Sequence, residues 1–196
     1  MAEIFTPEDS GLAAQVRAGS RTAIQTVVET YLAQILRAAR GAGLDPQRAE
    51  DVTQATFTTF IESAPRFEGR SSVRTWLFGI LYKKIAEARR ALQRDRQMDE
   101  IDDTFEGRFD ASGGWSRPPQ AIDTVLHRKE VETEIFACLE AAPLRQTLAF
   151  ILREVEELST EDICNVLGIT RTNLGVMLHR IRNRVRDCLE SKGVRR

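Results

Sequence analysis

No stretch of the 196 residues approaches the roughly 18 to 20 consecutive apolar residues that a membrane span needs. The opening MAEIFTPEDS has no basic region followed by an apolar core, so no secretory signal and no membrane insertion are expected, and a cytoplasmic protein is. Cysteine is scarce: Cys138, Cys164 and Cys188 are far apart, odd in number and in no CxxC arrangement. That pattern argues against a zinc site and against a disulfide framework. Each cysteine sits among apolar residues at helical spacing and is expected in plain core packing. His127 and His179 have no neighbouring ligands, and neither a Gly-rich phosphate loop nor a nucleophile motif occurs. No catalytic residue, metal or cofactor is expected, and no strand or internal repeat can be read.

Net charge is close to zero, at −1, but the charge is sorted into blocks. From Arg70 to Arg96 there are eight Lys/Arg against Glu87 and Asp95. From Gln97 to Asp110 there are six acidic residues against Arg108, and from Arg171 to Arg196 eight Lys/Arg against Asp187 and Glu190. Nucleic acid responds to the local patch rather than to the total, so two basic ends keep DNA in play.

Helical periodicity runs through most of the chain. Thr6 as N-cap, Pro7 and Asp9 open a short helix with Leu12 and Val16 inward. Ser20 opens a second, with Ile24, Val27, Val28, Tyr31, Leu32, Ile35 and Leu36 on one face, ended by Gly41 and Gly43. Asp45-Pro46 starts a third that presents Val52, Phe57, Phe60 and Ile61 and stops before Pro65. The loop RFEGRSS leads to a fourth, from about Val73 to Arg94, with Trp76, Leu77, Ile80, Leu81, Ile85, Ala88 and Leu92. Periodicity then fails until Pro118-Pro119, as in an extended linker. Helices resume from Ile122 to Ala141 and again at Leu144, Leu148, Ile151, Leu152 and Val155. The reading is all-α: residues 1–96 a four-helix domain, 97–121 an acidic, then Gly/Pro-containing linker, and 122–196 a second small helical domain.

The sharpest local signal lies near the C-terminus. Ser159, with Asp162 three residues on, caps a short helix from Thr160 to Leu167; Gly168-Ile169 turns the chain and Thr170 caps a second helix. Counted from Thr160, Cys164 falls at the fifth position, Gly168 at the ninth, and Leu174 and Met177 at the fifteenth and eighteenth, the spacing of a helix-turn-helix. A small residue lets the helices cross closely, and glycine takes the left-handed turn at least cost. Arg171, Thr172, Asn173 and Gly175 would then face base edges, with His179, Arg180, Arg182 and Arg186 placed for phosphates. The plainer alternative is a helical hairpin with a solvated arginine face.

Two stretches carry a resemblance: AEDVTQATFTTFIE (49–62) followed by FEGRSSVRTWLFGILYKKIAEARR (67–90), and PLRQTLAFILREVEELSTEDICNVLGITRTNLGVMLHRIRNRVRDCLE (143–190). Together they resemble the extracytoplasmic-function (ECF) sigma factors of the sigma-70 family, over most of the chain from about residue 10. The resemblance implies a non-catalytic subunit that directs core RNA polymerase to −35 and −10 promoter elements and assists melting. It implies region 2 and region 4 domains, a free monomer, and core polymerase, promoter DNA and an anti-sigma factor as partners. By resemblance Glu50, Asp51, Gln54, Phe57 and Phe60 would dock on the polymerase largest subunit. Phe67, Ser71, Ser72, Arg74, Trp76, Lys83, Lys84, Arg89 and Arg90 would hold the melted −10 strand, where cations beside aromatic rings suit unstacked bases. The helix-turn-helix would read −35 duplex, and the free protein would be held compact or sequestered, with the linker as hinge.

Departures from the family pattern are Lys83, where Asn or His is usual, Ala55, where many members have Glu, and Gly175, where a bulkier residue is common. Thr53, Thr56, Thr58 and Thr59 beside Ala55 are candidate phosphorylation sites that would restore negative charge. Two rivals remain open at this level: a helix-turn-helix repressor that dimerises on a palindrome, and a protein-binding decoy that keeps the fold without promoter activity.

Overall fold

The computed structural model describes residues 7–95, 129–140 and 142–192; Thr6, the linker 97–121 and the stretch 122–128 lie outside them. Among these residues all regular structure is helical. Helices α1 (Pro7–Arg17), α2 (Arg21–Gly41), α3 (Pro46–Ser63) and α4 (Val73–Asp95) form an N-terminal bundle, with a 3₁₀ turn at Ala64–Arg66. Helices α5 (Lys129–Leu139), α6 (Leu144–Phe150), α7 (Thr160–Leu167) and α8 (Arg171–Ser191) form a C-terminal bundle, α6 running into a π-helical turn at Ile151–Val155.

The starts follow the capping chemistry in the sequence. Ser20 Oγ accepts from the Ala23 amide, Asp45 Oδ1 from the Arg48 amide at 3.0 Å, and Pro46 occupies the first turn, where its missing N–H costs nothing. The Asp45 carboxyl is held below its usual range, chiefly by that backbone hydrogen bond.

Val27, Ile35, Val52, Phe57, Phe60, Leu77, Leu81 and Ile85 are buried between α2, α3 and α4, each large side chain contributing about 1.5–3 kcal/mol of burial. Two members of the expected stripes are not: Leu32 and Ile61 are 46% and 45% exposed. Both lie at the rim of an apolar arc wider than the neighbouring helices cover. Phe78, which the pattern passed over, is fully buried.

The cysteine expectation is corrected. Cys138 on α5 and Cys188 near the end of α8 are disulfide-bonded across 50 residues, and only Cys164 is free and half-buried as a packing residue. A separation of 50 residues gave no local signal; the bond arises because α5 packs along the C-terminal half of α8, where Lys192 also pairs with Glu134 at 2.8 Å.

The two bundles pack on one another, with α7 against α4 and α2 against α5 and the π-helical turn. Gly41 permits this closeness: a Cβ there would stand 2.7 Å from Phe136 Cε1 and 2.9 Å from Ile151 Cδ1. Arg145 Nε donates to Tyr82 Oη at 3.1 Å and Arg89 Nη2 to the Glu140 carbonyl at 3.3 Å, stitching α4 to the C-terminal bundle.

Candidate nucleic-acid interface

The helix-turn-helix forms as its spacing predicts. Ser159 Oγ accepts from the Asp162 amide at 3.1 Å and donates to the Asp162 carboxylate at 2.8 Å, a reciprocal cap at the start of α7. Gly168 ends α7 at φ 62°, in the left-handed region that favours glycine. Thr170 Oγ1 then accepts from the Asn173 amide at 3.3 Å to start α8. Leu174, Leu178, Ile181, Val185 and Leu189 form the buried stripe of α8, and Met177 is half-buried beside it.

The opposite side of α8 is exposed over its first turns. Arg171, Thr172, Asn173, Gly175, Val176 and Arg180 are exposed, and a Cβ built on Gly175 would meet nothing within 4 Å. Val176, 45% exposed on this otherwise polar face, escaped the sequence reading; its signal was its place one helical turn from Thr172 and Arg180. Arg171 is 3.5 Å from the Glu161 carboxylate. Further along, Arg182 Nε donates to Glu154 Oε1 at 3.0 Å and Arg186 lies 3.3 Å from Asp187, so these two already hold carboxylates. His179 is half-buried, its Nε2 3.0 Å from the Asn183 amide nitrogen. Its imidazole is pushed below the ordinary value, first by burial and then by the Arg182 and Arg186 charges.

The residues singled out at the 67–90 stretch divide into three groups. Phe67 and Trp76 are stacked on each other at 4.5 Å, and Trp76 packs on Phe60 at 5.3 Å. Phe67 is buried, so these rings form a wall of the bundle rather than free platforms for bases. Ser72 Oγ accepts from the Thr75 amide at 3.1 Å and caps α4, with Ser71 half-buried beside it. Lys83 and Arg90 are exposed; Lys84 and Arg89 are half-buried, Lys84 3.5 Å from Glu87, and burial lowers the Arg89 pKa.

The start of α4 is covered by the C-terminal bundle, which the sequence reading did not specify. Arg74 Nη2 donates to the Glu156 carbonyl at 2.6 Å and to Gln34 Oε1 at 3.1 Å. Thr75 Oγ1 donates to the Asp162 carboxylate. Arg37 on α2 meets Glu156 through two hydrogen bonds, 2.9 and 3.3 Å long, with the Glu156 side chain only 1% exposed. In the sequence the only signals were an arginine interrupting the apolar stripe of α2 and an acidic pair, Glu156-Glu157, ahead of Leu158.

On α3, Glu50, Asp51 and Gln54 are exposed on one face, while Phe57 and Phe60 point into the core. Both phenylalanines are therefore buried beneath that face rather than exposed on it. Thr53 and Thr56 are corrected as modification sites: both are buried, donating to the Ala49 and Val52 carbonyls at 2.7 Å, which leaves no room for a phosphate. Thr58 is exposed and Thr59 half-buried.

The Sigma-70 region 2 family matches residues 27–95 and the Sigma-70 region 4 family matches residues 133–185. A probable RNA polymerase sigma factor of Haemophilus influenzae is 31% identical over 151 residues, 74% of this chain and 78% of that protein. The ECF RNA polymerase sigma factor SigD of Mycobacterium bovis is 30% identical over 185 residues, 92% and 83% of the two chains. Two solved structures share the fold. CnrH in complex with the cytosolic domain of CnrY has TM-score 0.67 at 21% identity, covering 93% of this chain and 97% of that one. RpoE in complex with the anti-sigma factor NepR from Bartonella quintana has TM-score 0.61 at 19% identity, covering 85% and 96%. An all-helical pair of bundles matching regions 2 and 4 in order, with ECF relatives along nearly its whole length, places this chain in the sigma-70 family as an ECF sigma factor, a non-catalytic subunit for transcription initiation by RNA polymerase.

Proposed function

We propose that residues 1–96 bind core polymerase and the −10 element, that 97–121 links the bundles, and that 122–196 reads the −35 element. The observation that carries this is the start of α8, where Arg171, Thr172, Asn173, Gly175 and Val176 are exposed on a helix positioned by a left-handed glycine turn. An Arg and an Asn there can each pair with two acceptor or donor atoms of a base edge in the major groove. Arg180, with His179, Arg182 and Arg186, supplies phosphate contacts once Glu154 and Asp187 yield their partners.

Core polymerase docks on the α3 face of Glu50, Asp51 and Gln54, which Phe57 and Phe60 hold in place from below. Of the four threonines, Thr58 and Thr59 are the ones open to a charge-adding modification on that side. The −10 strand runs over the loop 67–72 and along α4, with Ser71, Ser72, Arg74, Lys83, Lys84, Arg89 and Arg90 as polar contacts against the wall that Phe67 and Trp76 build. The chain acts in the cytoplasm, as a monomer when free. The similar structure, RpoE crystallised with the anti-sigma factor NepR, supports an anti-sigma partner here too.

Run-off transcription with purified core polymerase on a pool of promoter fragments tests the proposal. Protein-dependent transcripts from a subset sharing −35 and −10 elements are expected. Core binding without any transcript would replace it with the decoy, and specific binding to a palindrome without core with the repressor.

A further inference from the structure

Region 2 holds an anion seat that is already filled from within. Arg37 on α2 and Arg74 at the start of α4 converge on the buried Glu156, and Arg74 also donates to Gln34 Oε1. Arg37 donates twice to its carboxylate, and Arg74 donates to its carbonyl and lies 3.9 Å from the carboxylate. The occupant is delivered by a special backbone: the π-helical turn ends here, and Glu157, the one non-glycine among the described residues with positive φ, sits at 53°. Glu156 leaves the seat incompletely satisfied, because Arg74 Nε is buried without a hydrogen-bond partner. Two convergent guanidinium groups with a spare donor suit a phosphodiester, whose two charged non-bridging oxygens can each accept more than one hydrogen bond.

We propose that Arg37, with Arg74, is a phosphate-binding site for the single-stranded DNA backbone, and that Glu156 occupies it in the closed form as a competitor. This rests on the −10 reading of α4 given above. The neighbouring contact has the same character, since the Asp162 carboxylate takes the Thr75 hydroxyl one residue along the same helix start. Strand binding and closure of the two bundles are therefore mutually exclusive, and the site opens only when the C-terminal bundle swings away, as reading −35 and −10 elements at once would require.

The full-length protein and the variants Glu156→Gln, Glu156→Ala, Arg37→Ala, Arg37→Lys and Glu156→Gln with Arg37→Ala test this. Binding of a short fluorescein-labelled single-stranded oligonucleotide of mixed sequence is read by anisotropy at low salt, compaction by small-angle scattering, and folding by circular dichroism. Both Glu156 variants are expected to expand and to bind about fivefold tighter or more, within the usual range of coupling between two states. Arg37→Ala is expected to expand without that gain, the double variant to lose it, and Arg37→Lys to retain part of it. Equal tightening by Arg37→Ala and Glu156→Gln would reduce Arg37 to a clasp and overturn the phosphate site. Unchanged affinity in the expanded Glu156 variants would overturn the competition. Run-off transcription by the wild type is scored separately, so failure of the sigma assignment appears there and not in these affinities.

Discussion

The two long basic helices, α4 and α8, begin alike and end up in opposite circumstances. Each starts at a hydroxyl that caps the third amide onward, Ser72 for Thr75 and Thr170 for Asn173. Each carries an apolar stripe on one side and Lys/Arg on the other. Yet the first turn of α8 is exposed, whereas the first turn of α4 is pressed under α7 and tied to Glu156 and Asp162. Local sequence makes a helix start; what packs on it decides whether that start is a reading surface. With the roles proposed above, the comparison implies that the face proposed to read duplex is available in the closed protein and the face proposed to bind the strand is not.

The bundles also differ in how they are held. The N-terminal one rests on an aromatic cluster, Phe60, Phe67 and Trp76, sealed between α3 and α4. The largest expected effect is therefore Phe60→Ala, which should cost about 3–5 kcal/mol as a large-to-small change in a fully buried site. A urea midpoint unchanged from wild type would show that the cluster is not what supports α4. The C-terminal bundle is smaller and relies on the Cys138–Cys188 bond to tie α5 to α8. Cys138→Ser, or reduction, should lower its stability by about 2–4 kcal/mol, mainly through the freed unfolded chain. Thermal unfolding with and without reductant measures this, and equal melting curves would mean that packing alone holds α5.

The contrast between the helix starts is sharpened by Arg171→Ala combined with Asn173→Ala. Each lost base contact should remove about 1–3 kcal/mol of −35 discrimination and leave core binding unchanged. Competition binding on matched and mismatched duplexes reads the first quantity, and core-affinity measurement the second; equal loss of both would unseat α8 from its assigned role. The smallest effect is expected at Ser159→Ala, which removes the reciprocal cap of α7 and should destabilise the C-terminal bundle by about 0.5–2 kcal/mol. Because Asp162 also receives Thr75, this variant should loosen the contact of the bundles as well, visible as a larger radius in solution.

Much of the architecture was legible from residue order alone, for reasons that operate within a few residues. Capping side chains, Pro46, the left-handed Gly168 and the 3.6-residue apolar stripes act over one to three helical turns, and the helices they predict among the described residues are present. The exposed residues of α8 were also readable, because the buried stripe Leu174, Leu178 and Ile181 leaves the rest of the helix outward. The other decisions needed tertiary structure, because they join residues distant along the chain. Leu32 and Ile61 have the right type and spacing for burial and stay exposed, since no neighbour reaches them. Phe67 and Trp76 satisfy each other, and Thr53 and Thr56 turn inward to their own helix. Cys138 finds Cys188 across 50 residues, and Arg37 finds Glu156 across 119. Periodicity and capping record which side of a helix is apolar and where it begins; which partner covers that side is settled only when the helices pack.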